Sequence, residues 1–207
     1  MNYNDPNFNV IVSSPGRTGS VLISTIFFKV TGFTPIYREN DNNIKPMGPR
    51  ECLHSHQPED VKLMNEHTFF ILSKRNLIDT TFSNEIGQHT NHWRYHQKDK
   101  VEIVPFTLSL QKFMHKYNQI KQFYIDIKPI LPKNALIIDY DEFKNDDDLL
   151  YDILKISRLH KRFFGSKDRE YPIKTPGSHR DWIINYDELR EATKSLDPNP
   201  CINPSCI

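Results

Sequence analysis

The chain is poor in cysteine, in glycine and in long apolar runs, and it carries almost no excess charge. Only three cysteines occur in 207 residues: Cys52, Cys201 and Cys206. An odd count with one isolated member does not make a disulfide framework, so a reducing, cytoplasmic setting is expected. The longest apolar stretches, such as Val10 to Val12 and Ala135 to Ile138, fall far short of the roughly 20 residues a membrane-spanning helix needs. The opening MNYNDPNFNV has no basic segment followed by an apolar one, so no signal peptide is expected. Lys and Arg number 27 against 26 Asp and Glu, a net charge of +1. That balance excludes a nucleic-acid binder relying on a bulk positive field. Any anion site must therefore be built locally. What the chain does have is 37% hydrophobic and 12% aromatic residues, enough for a packed core rather than a disordered chain.

Short apolar, β-branched runs alternate with amphipathic ones. Strands are predicted at Phe8 to Ser14, Cys52 to His56, Thr68 to Ser73 and Ala135 to Asp139. Helices are predicted at Val21 to Val30, Pro58 to Asn65, Asp79 to Gly87, Leu108 to Ile127, Asp148 to Arg158 and Tyr186 to Leu196. Residues 38–51, 88–105 and 165–181 read as loops. The alternation implies an α/β fold with a mainly parallel sheet flanked by helices. One domain over residues 1–196 is expected, followed by a proline-rich tail, 197–207, that is extended or disordered.

Two of the seven glycines, Gly16 and Gly19, fall in the turn Pro15-Gly16-Arg17-Thr18-Gly19-Ser20. A strand, a glycine turn and a helix bring backbone N–H groups and the positive end of a helix dipole to one point. Arg17 adds a planar fork of donors, and Thr18 and Ser20 add hydroxyls. This chemistry suits a phosphate or a sulfate. The turn is not a Walker A loop, because no Lys precedes Ser20. A second βα unit places Arg75 at a strand end and Ser83 eight residues later in the following helix. A basic group and a hydroxyl from one unit can converge on a second anion. Two anion sites fit a nucleotide with phosphate at both ends.

On these residues the chain resembles the sulfotransferase family that uses 3′-phosphoadenosine 5′-phosphosulfate, PAPS. The segment Pro15 to Leu22, which includes Val21, is similar to the family's 5′-phosphosulfate loop, with Arg17 where the family has Lys. Arg75 and Ser83 reproduce the Arg–Ser spacing of its 3′-phosphate segment. Ser55-His56-Gln57-Pro58 resembles its T-H-x-P context. Asp139-Tyr140-Asp141-Glu142-Phe143 resembles Y-E-D-[LM], and Asp181 to Tyr186 resembles G-D-W-x-N, with Lys174, Gly177 and Arg180 loosely placed before and within it. The resemblance implies a P-loop NTPase-like topology and sulfuryl transfer from PAPS to a hydroxyl or amine, releasing adenosine 3′,5′-bisphosphate. It implies Arg17, Thr18, Gly19, Ser20, Val21, Arg75, Ser83, Tyr140, Lys174 and Arg180 as donor-binding residues.

For the chemistry, His56 is the expected general base, since histidine exchanges protons near neutral pH. Arg17 is the expected charge stabiliser. His54 is the rival base; two residues away on an extended segment, it points the same way. No metal is required. Cys52-x-His54-x-His56 and His89-x-x-His92-x-x-x-His96 have weaker readings as metal ligands. The acceptor is a small molecule, a glycan or a lipid, not a nucleic acid, held by loops 36–55 and 85–106, with Tyr37, Trp93 and Tyr95 as possible lining. Two alternatives stand beside this reading. One is a nucleotide or small-molecule kinase with an atypical phosphate loop. The other is a non-catalytic nucleotide-binding module.

Overall fold

The computed structural model describes residues 5–37, 47–92, 95–96, 102–144, 147–155, 172–173, 175–200 and 202. The elements begin with β1 (Asn9–Ser13), α1 (Ser20–Thr31), β2 (Thr34–Tyr37), β3 (Glu51–Ser55), β4 (Thr68–Lys74) and α2 (Leu77–Thr90). They continue with β5 (Tyr95–His96), α3 (Leu110–Ile127), β6 (Leu136–Asp139), α4 (Tyr140–Phe143) and α5 (Asp147–Ile153). The last are β7 (Pro172–Ile173), α6 (His179–Trp182) and α7 (Tyr186–Ala192). Contacts group the chain into two units. The first holds Met1–Lys74 and Asp126–Asp168, the second Arg75–Ile125 and Arg169–Ile207.

The first unit is built on a five-stranded sheet in the order β2-β3-β1-β4-β6, parallel at every pairing. This is the α/β architecture with a parallel sheet expected from the sequence. Val10, Ile11 and Val12 on β1 and Phe70, Ile71 and Leu72 on β4 are fully buried. Strands covered on both faces need no polar alternation, which is why they read as continuous apolar runs. Val12 stands opposite both His54 and Ile71, and Ser13 opposite Ser55 and Leu72, so β1 and β3 end at one level while β4 runs on to Lys74. β2 was not visible in the sequence. It is a four-residue edge strand paired only with β3, and an edge tolerates Pro35. Pro58–Leu63 forms a 3-10 turn rather than the predicted helix; so short a run settles readily into the tighter i→i+3 pattern. α1 closes on Gly32, left-handed at φ 69, whose N–H reaches Phe27 O.

The second unit is mostly helical. Asn76 caps α2 by accepting from the amides of Ile78 (3.0 Å) and Asp79 (3.1 Å). The helix runs past Gly87, where the sequence had suggested a stop, to the left-handed Asn91. α3 buries Phe113, Tyr117, Ile120 and Tyr124, a spacing of three and four that keeps one apolar face. Phe82 packs on Phe113 at 4.8 Å and on Tyr186 at 4.9 Å between ring centroids. β5 and β7 pair antiparallel, inside two segments that read as loop because two-residue strands carry no period. The described tail residues, expected to be extended or disordered, are held by hydrogen bonds. Pro198 O accepts from Leu77 N at 2.7 Å, Asp197 O accepts from the Tyr117 hydroxyl at 2.8 Å, and Ile202 is buried. The tail carbonyls satisfy donors the helices leave over, so these tail residues are tied down rather than free.

Candidate functional site

In the first unit the turn after β1 is built from unusual backbone. Gly16, Arg17 and Gly19 have φ of 90, 58 and 79. For Arg17, which carries a Cβ, that conformation costs on the order of 1–2 kcal/mol. Gly19 is the N-cap of α1 and offers no side chain to its amides. A Cβ at Gly19 would lie 2.5 Å from a Tyr140 ring carbon and 2.9 Å from Phe143. Tyr140 and Phe143, edge-on at 5.4 Å, thus wall the loop on one side. Tyr140 is brought there by α4, whose first turn is capped by Asp139.

Hydrogen bonds tie the ends of this loop together. Gly16 N–H donates to Ser14 Oγ (3.1 Å), and Ser14 Oγ donates to Ser20 Oγ (2.8 Å). Ser20 Oγ lies 2.9 Å from His54 Nε2. Ser73 donates its hydroxyl hydrogen to Thr18 O. The Thr18 side chain is buried, and its Oγ1 has no hydrogen-bond partner among the described residues. An orphaned buried hydroxyl costs about 1–3 kcal/mol, and a ligand that supplies an acceptor would offset that cost. Val21 lies half-exposed in the first turn of α1.

The two histidines, which spacing alone does not separate, occupy different places. His54 is buried on β3 and turns inward to Ser20. His56 lies just past the end of β3 and is exposed. Its Nδ1 stands 2.8 Å from Ser14 O. A carbonyl only accepts, so in the neutral ring Nδ1 carries the hydrogen and Nε2 is the basic nitrogen. The Ser55 hydroxyl donates to buried Asp60 and accepts from Gln57 N at 2.9 Å, fixing the turn that presents His56. The two rings meet edge-on at 4.7 Å.

In the second unit Arg75 Nη1 donates to Ser83 Oγ at 2.9 Å, so the eight-residue spacing does bring the pair together. The first amides of α2 are occupied by Asn76 and Pro198 O, leaving side chains as the donors here. Sequence reasoning missed a third member. His179 Nε2 lies 3.0 Å from Ser83 Oγ. Ser178-x-x-Asp181 was the available signal, a helix-start pattern that places His179 at the first position of α6. The Asp181 carboxylate accepts from Ser178 N–H at 2.5 Å. That backbone bond, then the Ser178 hydroxyl, holds its carboxyl below the usual carboxylate range. Arg180 instead pairs with Asp187 at 2.6 Å, both exposed. Lys174 and Trp93, and the side chains of Tyr37, Tyr95 and His96, lie outside the described residues.

Among the described residues no group of three His, Cys, Asp or Glu stands ready to hold a metal. Cys52 is fully buried, and burial pushes its thiol far above the ordinary value, against an opposing hydrogen bond with Ser24. His89 stacks on Phe106 at 4.0 Å. No described helix is long and apolar enough to cross a membrane.

No family model matches the chain. No curated protein matches it. Among solved structures it is similar to mouse sulfotransferase SULT7A1 complexed with PAP, at 15% identity and a TM-score of 0.46, over 95% of this chain and 88% of that one. It is also similar to retinol dehydratase in complex with androsterone and the inactive cofactor PAP, at 12% identity and a TM-score of 0.44, over 94% of this chain and 66% of that one. A second retinol dehydratase structure, with retinol and PAP, gives 13% identity and a TM-score of 0.44, over 94% and 67%.

Proposed function

We propose that the chain is a sulfotransferase that moves a sulfuryl group from PAPS to a hydroxyl or amine of a small molecule, glycan or lipid. The observation that carries this reading is the Arg75–Ser83 contact at 2.9 Å, on the chain immediately after a strand adjacent to β1. It supplies a second anion grip that an ATP-type donor does not need. When bound, PAPS supplies the sulfuryl group and leaves as adenosine 3′,5′-bisphosphate.

The turn after β1 takes the 5′ end of the donor. Its donors are the Gly19, Ser20 and Val21 amides at the uncapped start of α1, the Thr18 and Ser20 hydroxyls and the Arg17 guanidinium. Aimed where charge develops, each such preorganised donor is worth on the order of 10²–10³ in rate. Tyr140 keeps the loop in shape against Gly19. Arg75 and Ser83 take the 3′-phosphate. Lys174 is a further donor-binding residue by resemblance, and Arg180 must first leave Asp187 to join them. His56 accepts the acceptor's proton at Nε2 while Ser14 O holds the Nδ1 hydrogen. His54 orients Ser20 rather than acting as base.

A transfer screen tests this directly. Sulfur-radiolabelled PAPS is offered with carbohydrate, phenol, steroid, lipid and peptide hydroxyls, and phosphorus-radiolabelled ATP with magnesium is run in parallel. Label should move from PAPS to one acceptor class and from ATP to none. Transfer from ATP overturns the reading in favour of a kinase. Tight binding of adenosine 3′,5′-bisphosphate without transfer to any acceptor overturns it in favour of a binding module.

A further inference from the structure

The Ser83 hydroxyl sits between a cation and a histidine. It accepts from Arg75 Nη1 at 2.9 Å and lies 3.0 Å from His179 Nε2. Ser83 itself is buried. Arg75 can only donate, so Ser83 must accept there, and its single hydrogen is best spent on a neutral His179. Binding of an anion disturbs this arrangement, because the same hydrogen is the one Ser83 would offer to a phosphate oxygen.

We propose that His179 is a positioning residue for this grip: when a phosphate dianion takes the Ser83 hydroxyl hydrogen, His179 binds a solvent proton at Nε2 and donates it to Ser83 Oγ. The inference rests on the reading of Arg75 and Ser83 as the 3′-phosphate site. Electrostatics favour it in the bound state only. Without ligand, the Arg75 guanidinium one hydroxyl away disfavours a second positive charge. A dianion reverses that balance. Among the described residues, the other charged groups around His179 are mostly compensated. On α2, Asp79 is 3.8 Å from Arg190 of α7. On α6, Arg180 pairs with Asp187 of α7, and Asp181 accepts from Ser178 N–H. The Tyr186 ring is 6.2 Å away, and its hydroxyl is pushed up, chiefly by burial, so it stays neutral. Exchange of the ring tautomer would serve the hydrogen bond equally well but would leave the added negative charge unmatched.

Calorimetric titration of the full chain with adenosine 3′,5′-bisphosphate tests this. It is run between about pH 7 and 8, where phosphate monoesters are largely dianionic, in phosphate-free buffers of different ionisation enthalpy. The expected result is uptake approaching one proton per ligand, with affinity weakening by up to about tenfold per pH unit. His179→Gln, whose amide can donate to Ser83 but cannot titrate, should bind without uptake and with a flattened profile. Adenosine 5′-monophosphate should take up none in the unaltered chain. Binding of the bisphosphate without proton uptake, or equal uptake by His179→Gln, overturns this inference and leaves the proposed function standing. Failure of the unaltered chain to bind the bisphosphate overturns that function and the inference together.

Discussion

The turns after β1 and after β4 set out two kinds of donor array on the same strand–turn–helix plan. After β1 the backbone does the work. Three residues are left-handed, α1 begins with no side-chain cap, and a web of hydroxyls ties Ser14, Ser20 and His54 together. After β4 the helix amides are already occupied by Asn76 and Pro198 O, and the donors are the side chains of Arg75, Ser83 and His179. A grip made of backbone is inseparable from folding. A grip made of side chains can be removed one group at a time. The first therefore suits the reacting end of a donor, where geometry decides rate, and the second suits recognition.

This division predicts which quantity each substitution moves. The largest effect is expected for His56→Ala, which removes the proposed base beside the first turn. Turnover should fall by about 10²–10⁴-fold, while affinity for adenosine 3′,5′-bisphosphate changes little. Steady-state rates together with calorimetric binding check this, and a near-normal rate removes His56 from the chemistry. Next is Gly19→Ala. Overlap with Tyr140 and the positive φ should cost roughly 2–4 kcal/mol of stability, read in urea unfolding, with binding lost in proportion. An unchanged unfolding midpoint would mean the loop is less rigid than its contacts imply. Arg75→Ala should weaken bisphosphate binding by about 10–10²-fold through loss of charge-assisted hydrogen bonds, with the unfolding midpoint nearly unmoved. A large stability loss there would erase the distinction between the two turns.

The smallest effect is set by pH. Asp181 is held below the usual carboxylate range by Ser178. Its lower folded value means the contribution to α6 is fully present above about pH 4 and is lost as pH falls through that lower value. Near-ultraviolet dichroism of Trp182, buried on α6, should begin to change below about pH 4. A constant signal through that range would show that the Ser178–Asp181 contact does not hold α6.

The sequence exposed the parts whose cause is local. Central strands β1 and β4 were legible because burial on both faces leaves continuous apolar runs, and the glycine turn because positive φ demands glycine at two of its positions. The Arg75–Ser83 meeting was legible because both residues belong to one βα unit. What was hidden depends on distant partners. Periodicity does not separate His54 from His56; their different surroundings arise because β3 ends at Ser55 and Ser14 O lies beside the next residue. His179 reaches Ser83 across 96 residues of chain. The attachment of the tail was hidden because its partners, Leu77 N and the Tyr117 hydroxyl, lie far upstream.

The central claim is that the chain takes a ligand carrying phosphate at each end. Equilibrium affinities of the unaltered chain for adenosine 3′,5′-bisphosphate, adenosine 5′-monophosphate and adenosine 3′-monophosphate test it most directly. The bisphosphate should bind at least about tenfold more tightly than either monophosphate, since each removal takes away charge-assisted bonds. A bisphosphate that binds no more tightly than the 5′-monophosphate would contradict the claim.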